Sequence, residues 1–303
     1  MSRLIARKTG FAACLALSLL AAAFPRAWQA GPRTIYVTAL DAKGVPVPGL
    51  TASDFVVKED GKARDIVSAA VSTTPMQIAL MLDDSGLALG AIRQGAGQFV
   101  QALQNKADFK LITIGGRNLT LVEYSRDPRP LYEGLQKMLT RTASGTYLLD
   151  GLVEETQIFI KFKAPRPVIV AVATEGEDFS NVRADVVLDA IQTSSTKFYY
   201  IGLGTPVTQG NQPAYAAERN QDSTVGEAAN KNTVLGAAPK NSGGRSDQVL
   251  QSSGVPVIMK QIADELAGQY QITYASDATD AKLTVETAKK NVKLRAPAKV
   301  GSK

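Results

Sequence analysis

From residue 77 onward the chain alternates two kinds of segment, and this alternation limits its fold more than any other feature. "QIALMLD" (77–83), "FKLITIGG" (109–116), "RPVIVAVAT" (166–174) and "KFYYIGLG" (197–204) are nearly unbroken apolar runs. A strand reads this way when both faces of its sheet are covered. Between the runs the period changes to that of a helix: Leu89, Ile92, Ala96, Phe99, Val100 and Leu103 recur at 3.6-residue spacing. "RPLYEGLQKMLT", "TYLLDGLVEETQIFIKF", "VRADVVLDAIQTS" and "VIMKQIADELAGQY" carry helical patterns too. Strands alternating with helices imply βαβ units and a parallel sheet, hence an α/β fold. "LTLVEYS" following "FKLITIGG" across Gly115, Gly116 and Arg117 is expected to form a hairpin.

Other expectations frame this domain, assigned to 76–276. Residues 1–30 read as a secretory signal peptide: Arg3, Arg7 and Lys8 precede the apolar "FAACLALSLLAAAF", and small residues follow. The apolar run is shorter than the roughly 20 residues a membrane span needs. Cleavage after Ala23 and cleavage after Ala30 both fit, and either leaves no transmembrane segment in the mature chain. Residues 34–73 read as a small antiparallel β unit, with an Asp-Gly turn in "DFVVKEDGKARDIVSAAV". "YQITYAS" is expected as the domain's last strand. Residues 205–253, polar and rich in Gly, Asn and Gln, read as a mobile insertion that buries no core and is dispensable for folding. Residues 277–303 read as two short strands and a solvated basic tail.

Composition excludes several chemistries. The sequence has no His and a single Cys, Cys14, which lies in the signal segment. The mature chain therefore has no disulfide, no imidazole or thiolate metal site, no Cys nucleophile and no His-based triad. Losing the signal removes three or four positive charges and no acid, so a formal +6 becomes +3 or +2. The basic balance is then no argument for nucleic acid.

What remains is the end of the first buried strand, "ALMLDDSGLALG" (79–90). Asp83, Asp84 and Ser85 there either cap the next helix and end the strand, or grip a cation through oxygen. This acidic cluster, with the alternation behind it, resembles the von Willebrand factor A (VWA) domain. The flanks resemble those of bacterial exported VWA-related proteins: Gly49, Leu50, Asp54 and Phe55 fit a Gly-Leu-x-x-x-Asp-Phe phrase, and Gln269 and Tyr270 a closing Gln-Tyr pair.

The resemblance implies a doubly wound, mostly parallel, Rossmann-like sheet flanked by helices, and an exported, non-enzymatic, adhesion-type protein–protein interaction module in the periplasm, cell envelope or extracellular space. Its partner would be a protein ligand engaged through an acidic side chain. It also implies a metal-ion-dependent adhesion site at the carboxyl ends of the strands, built from Asp-x-Ser-x-Ser, a Thr and an Asp. Asp83 and Ser85 match the first Asp and Ser, and Thr146 the Thr; Leu87 replaces the second Ser and Glu175 the Asp. Leu87 offers no oxygen, and Glu175 is one methylene longer than a site with Mg–O near 2.1 Å accommodates. The implied site is thus degenerate, with Asp83, Ser85, Thr146 and Glu175 left to hold Mg²⁺ or no cofactor at all. Two alternatives stand beside this reading. A Mg²⁺-dependent phosphoesterase on a similar sheet would need Asp-x-Asp where this chain has Asp83-Asp84-Ser85. A purely structural envelope protein would make its contacts through the small β unit.

Overall fold

The computed structural model describes residues 31–86, 88–140, 145–174, 176–204, 221–278 and 280–300, and of 221–225 and 227 only the backbone. The expected signal peptide, Leu87, Glu175 and 205–220 lie outside the described residues.

In chain order the elements are β1 (Gly31–Leu40), β2 (Val56–Glu59), β3 (Lys62–Arg64), β4 (Ile66–Val71), β5 (Met76–Leu82), α1 (Leu89–Ala102), β6 (Ala107–Thr113) and β7 (Leu119–Ser125). Then come α2 (Pro128–Lys137), β8 (Gly145–Thr146), α3 (Leu148–Lys161), β9 (Pro167–Thr174), β10 (Glu177–Asp178), α4 (Ala184–Thr193) and β11 (Lys197–Leu203). The chain closes with α5 (Gln221–Asn241), β12 (Arg245–Val249), α6 (Gly254–Ala267), β13 (Tyr270–Ser276), β14 (Leu283–Glu286) and β15 (Lys293–Arg295).

The apolar runs form the central sheet, in the order β12-β11-β9-β5-β6-β7. Its strands are parallel except β7, which returns antiparallel to β6 as the hairpin expectation required. Side chains along a strand alternate between faces, so each run feeds two cores. Ile78, Leu80 and Leu82 join Val168, Val170, Val172, Phe99 and Met259 on the α1–α2–α6 side. Ala79, Met81, Ile169 and Ala171 join Leu149, Leu152, Val187 and Val234 on the α3–α4–α5 side. The chain steps outward from β5 to β6 and β7, then crosses back to place β9 on the other side of β5. The fold is therefore doubly wound, as expected, and its topological switch point lies between the carboxyl ends of β5 and β9.

A third core lies under an antiparallel sheet, order β15-β1-β13-β4, with the ribbon β14-β2-β3 beside it. Here two expectations need correcting. "YQITYAS" is not a strand of the central sheet: as β13 it lies between β1 and β4, antiparallel to both. Its burial alternates, with Tyr270, Ile272 and Tyr274 inside, which is the pattern of a strand covered on one face. Residues 34–73 are in turn no separate unit, because β1 and β4 meet only through β13. The Gly-Leu-x-x-x-Asp-Phe phrase serves this core. Leu50 and Phe55 are buried, the Phe55 ring lies 5.4 Å from that of Tyr270, and the Tyr270 hydroxyl accepts from Leu50 N and donates to Val47 O.

The expected insertion at 205–253 and the solvated tail are also corrected. Residues 221–241 form α5, which buries Val234 and Ala238, and β12 is the edge strand of the central sheet. The buried Val234 and Ala238 lie in the second half of α5 among mostly polar residues, and an edge strand tolerates the polar "RSDQV", so neither segment has a strong pattern in sequence. Residues 297–300 pack as well: Ala298 N donates to Asn241 O, Leu283 N to Ala298 O, and Val300 is buried.

Candidate functional site

Four segments meet at the carboxyl ends of the parallel strands: 83–86 after β5, 114–118 after β6, the segment around β8, and 176–183 after β9. Asp83 leaves β5 at the switch point, fully buried. Its Oδ1 accepts from Ser85 N at 2.8 Å and Ser85 Oγ at 2.5 Å. Its Oδ2 accepts from Thr174 N at 2.9 Å and from the Thr174 hydroxyl. One carboxylate thus carries four donors and ties the end of β5 to the end of β9. Neither Asp83 nor Ser85 caps α1, whose N-cap is Ala88 with no side-chain bond. The capping alternative from the sequence is therefore replaced by a brace across the switch point.

Asp178 braces the neighbouring loops. Its Oδ2 accepts from Thr146 Oγ1 at 2.9 Å and from Leu148 N, the first N–H of α3, at 2.8 Å. A carboxylate is stabilised at that end of a helix by the unpaired N–H groups and the dipole. Asp150, in the first turn of α3, accepts in return from Asn181 N and Val182 N. Gly115 completes the junction. It bridges to Thr146, and its N donates to Asp84 Oδ1 at 3.2 Å. A Cβ at 115 would stand 2.5 Å from Asp84 Oδ1 and 3.2 Å from Asp83 Oδ1, so glycine is the residue that lets the β6 loop approach.

Of the four sequence-predicted ligands, Asp83 and Ser85 are in contact, and Thr146 lies one bridge away, bonded to Asp178. Glu175 lies outside the described residues. The sequence reading missed Thr174, the second anchor of Asp83. The signal for Thr174 was a hydroxyl residue at the end of an otherwise apolar strand.

These groups can be tested as a Mg²⁺ site, which needs oxygen lone pairs open toward the ion, best from ionised carboxylates. Each Asp83 oxygen already faces two donors and has two lone pairs. Ser85 Oγ and Thr146 Oγ1 each give their hydrogen to a carboxylate and keep lone pairs, but they are neutral. Among the described residues no group of three or more Asp, Glu, His or Cys is placed to hold a metal. As placed, the Asp83 carboxylate has each of its lone pairs turned to a donor of the chain.

No family model matches the chain, and no curated protein matches it. Solved structures do match. Proximal thread matrix protein 1 from the mussel byssus is 10% identical, over 74% of this chain and 50% of that one, with a TM-score of 0.46. The match thus spans half the mussel protein's length. A von Willebrand factor type A structure from Catenulispora acidiphila is 10% identical over 90% of this chain and 74% of that one, TM-score 0.47. The conserved hypothetical protein BatB from Bacteroides thetaiotaomicron is 16% identical over 63% of this chain and 98% of that one, TM-score 0.43. One form of the mussel protein has a zinc-occupied MIDAS motif. These are likenesses of fold alone, each with a TM-score below 0.5. Among the described residues no helix is long and apolar enough to cross a membrane.

Proposed function

We propose that the chain is an exported, non-enzymatic protein-interaction module of the VWA type whose adhesion-type ion site is degenerate. The observation that carries this reading is the Asp83 brace. The crevice where doubly wound sheets usually take their ligands is bridged by a carboxylate whose acceptor capacity is used within the chain. Asp83, Asp178 and Asp150 tie the described parts of these loops to one another, so that much of the face is ordered before it meets a partner. That lowers the ordering cost of binding a protein surface. Residues 1–30 supply the export signal, which puts the mature chain in the periplasm, envelope or extracellular space. The partner is a protein, met on this face by groups such as the exposed Asn181.

Two measurements test the reading. In a thermal-shift titration, a few millimolar Mg²⁺ should leave the wild type unmoved. Leu87→Ser with Glu175→Asp should create a response: at a Kd of about 0.1 mM the gain is about 2 kcal/mol. A wild-type shift of several degrees, lost in Asp83→Ala, would refute the degenerate site. In the second, immobilised mature protein is exposed to culture supernatant and envelope extract. Asn181→Arg should lose the bound protein while keeping the wild-type melting temperature; capture that this variant leaves intact would refute the assignment of the face.

A further inference from the structure

At the opposite end of the sheet, where the parallel strands begin, there is a cavity of about 770 Å³. It lies between β1 and the first residues of β9 and β11, and it shares no residue with the loops around Asp83. Its lining is of one sign. Arg33, Lys163, Arg166, Lys197, Lys282 and Lys299 contribute six cationic side chains, and no Asp or Glu is among the lining residues.

Three of these cations are buried: Arg33, Arg166 and Lys197. Among the described residues none of the three has a carboxylate within salt-bridge distance. Arg166 is held by neutral groups: its guanidinium donates to Thr74 O, Leu266 O and Gln269 Oε1 and lies 5.0 Å from the Tyr36 ring centroid. Lys197 Nζ donates to Tyr36 O at 3.1 Å and Gly243 O at 3.2 Å, which leaves one of its three N–H donors over. At the rim, Lys299 pairs with Asp280 at 3.6 Å; Lys163 and Lys282 are exposed.

Burying a cation without a counter-charge costs several kcal/mol even after relaxation. A cleft of one sign with low-dielectric walls also concentrates ions of the other sign. The cavity has the volume of a small-molecule site, far more than an inorganic anion fills, and Val168, Leu188 and Ile191 make part of its wall apolar. We propose that this cleft is a binding site for a small organic anion, a phosphate monoester or carboxylate with an apolar body. The anionic head lies among Arg166, Lys197 and the rim lysines, and the body lies against the apolar wall. Lys197 supports the assignment separately: burial lowers its pKa to about 7, and an anion beside it would restore the charge that burial disfavours.

The test is calorimetric titration of the full mature chain with hexyl phosphate, hexanoate, inorganic phosphate and neutral hexanol. Three variants are compared with the wild type: Lys197→Met, Lys163→Glu with Lys282→Glu at the solvent-facing rim, and Lys137→Met as a surface control on α2. The rim pair is solvent-exposed, so it reports on the site even if Lys197→Met does not fold. The expected result is binding of at least one alkyl anion, weakened tenfold or more by the rim pair and by Lys197→Met and unchanged by Lys137→Met. Absence of binding by both alkyl anions, or binding that the rim pair leaves unchanged, would overturn the proposal. So would hexanol or inorganic phosphate binding as tightly as the alkyl anions, since the first removes the need for charge and the second the need for an organic body.

Discussion

Replacing Lys197 by Met should change how the protein's stability depends on pH, and the size of the change follows from burial. Lys197 starts β11 with 6% of its surface exposed, and its pKa falls from 10.5 to about 7. Desolvation is the main cause; the nearby charges of Arg166 and Arg295 push in the same direction, and Glu265 opposes them. Between about pH 7 and about 10.5 the unfolded chain holds the proton that the folded chain has released. The unfolded state therefore binds more protons, and stability rises with pH across that window. The penalty is complete below about 7 and gone above about 10.5.

From about pH 7 to about pH 9 this one group should add about 2 kcal/mol of stability to the wild type relative to Lys197→Met. For a chain of this size that is roughly 4–8 °C in melting temperature. The comparison has to be one of slopes, because the variant also orphans the carbonyls of Tyr36 and Gly243, at about 1–3 kcal/mol each at most. That loss is nearly independent of pH and cancels in the slope. Thermal or urea unfolding of both proteins at several pH values, dialysed free of multivalent anions, measures it. Parallel curves would refute the reasoning, since they would mean that the Lys197 ammonium is as well solvated or paired in the folded chain as in the unfolded one.

Three further outcomes are expected. Asp83→Asn should cost at least about 2 kcal/mol in chemical denaturation, because an amide cannot accept from all four donors now held by the carboxylate; a loss under about 0.5 kcal/mol would mean that the brace is not formed in solution. Lys110→Met should cost about 3–5 kcal/mol by stranding buried Glu155, whose Oε2 lies 3.0 Å from Lys110 Nζ and whose Oε1 accepts from the Tyr124 hydroxyl; an unchanged urea midpoint would refute it. Replacing 221–249 by a short Gly-Ser linker should lower the melting temperature by more than about 10 °C or abolish soluble expression, since it removes edge strand β12 and the buried Val234 and Ala238; a shift within about 5 °C would restore the view of this stretch as dispensable.

The parts of this fold that could be read from the sequence are those in which burial writes a pattern. A strand covered on both faces has to be apolar throughout, so "QIALMLD" and "RPVIVAVAT" announced the centre of the sheet, and the helical spacing of Leu89 to Leu103 announced the layer above it. The pattern fades where burial is partial. β12 is an edge strand and α5 sets the buried Val234 and Ala238 among polar residues, so both read in sequence as a polar insertion. "YQITYAS" did carry a signal, because its strict alternation belongs to a sheet covered on one face. Chain order nevertheless suggested the central sheet, and only the pairing with β1 and β4 reveals the long-range return that joins the two ends of the chain. The site divides in the same way. Its location after β5 was legible because ionisable residues at the end of a buried run are costly unless something satisfies them. What satisfies them was not legible, because Thr174 lies 91 residues from Asp83 and a hydroxyl that accepts such a role looks in sequence like any other. The basic cleft was hidden for the same reason on a larger scale. Its six cations are spread from Arg33 to Lys299 in a chain whose overall charge balance is ordinary, and they become one site only when β1 is laid across the foot of the sheet.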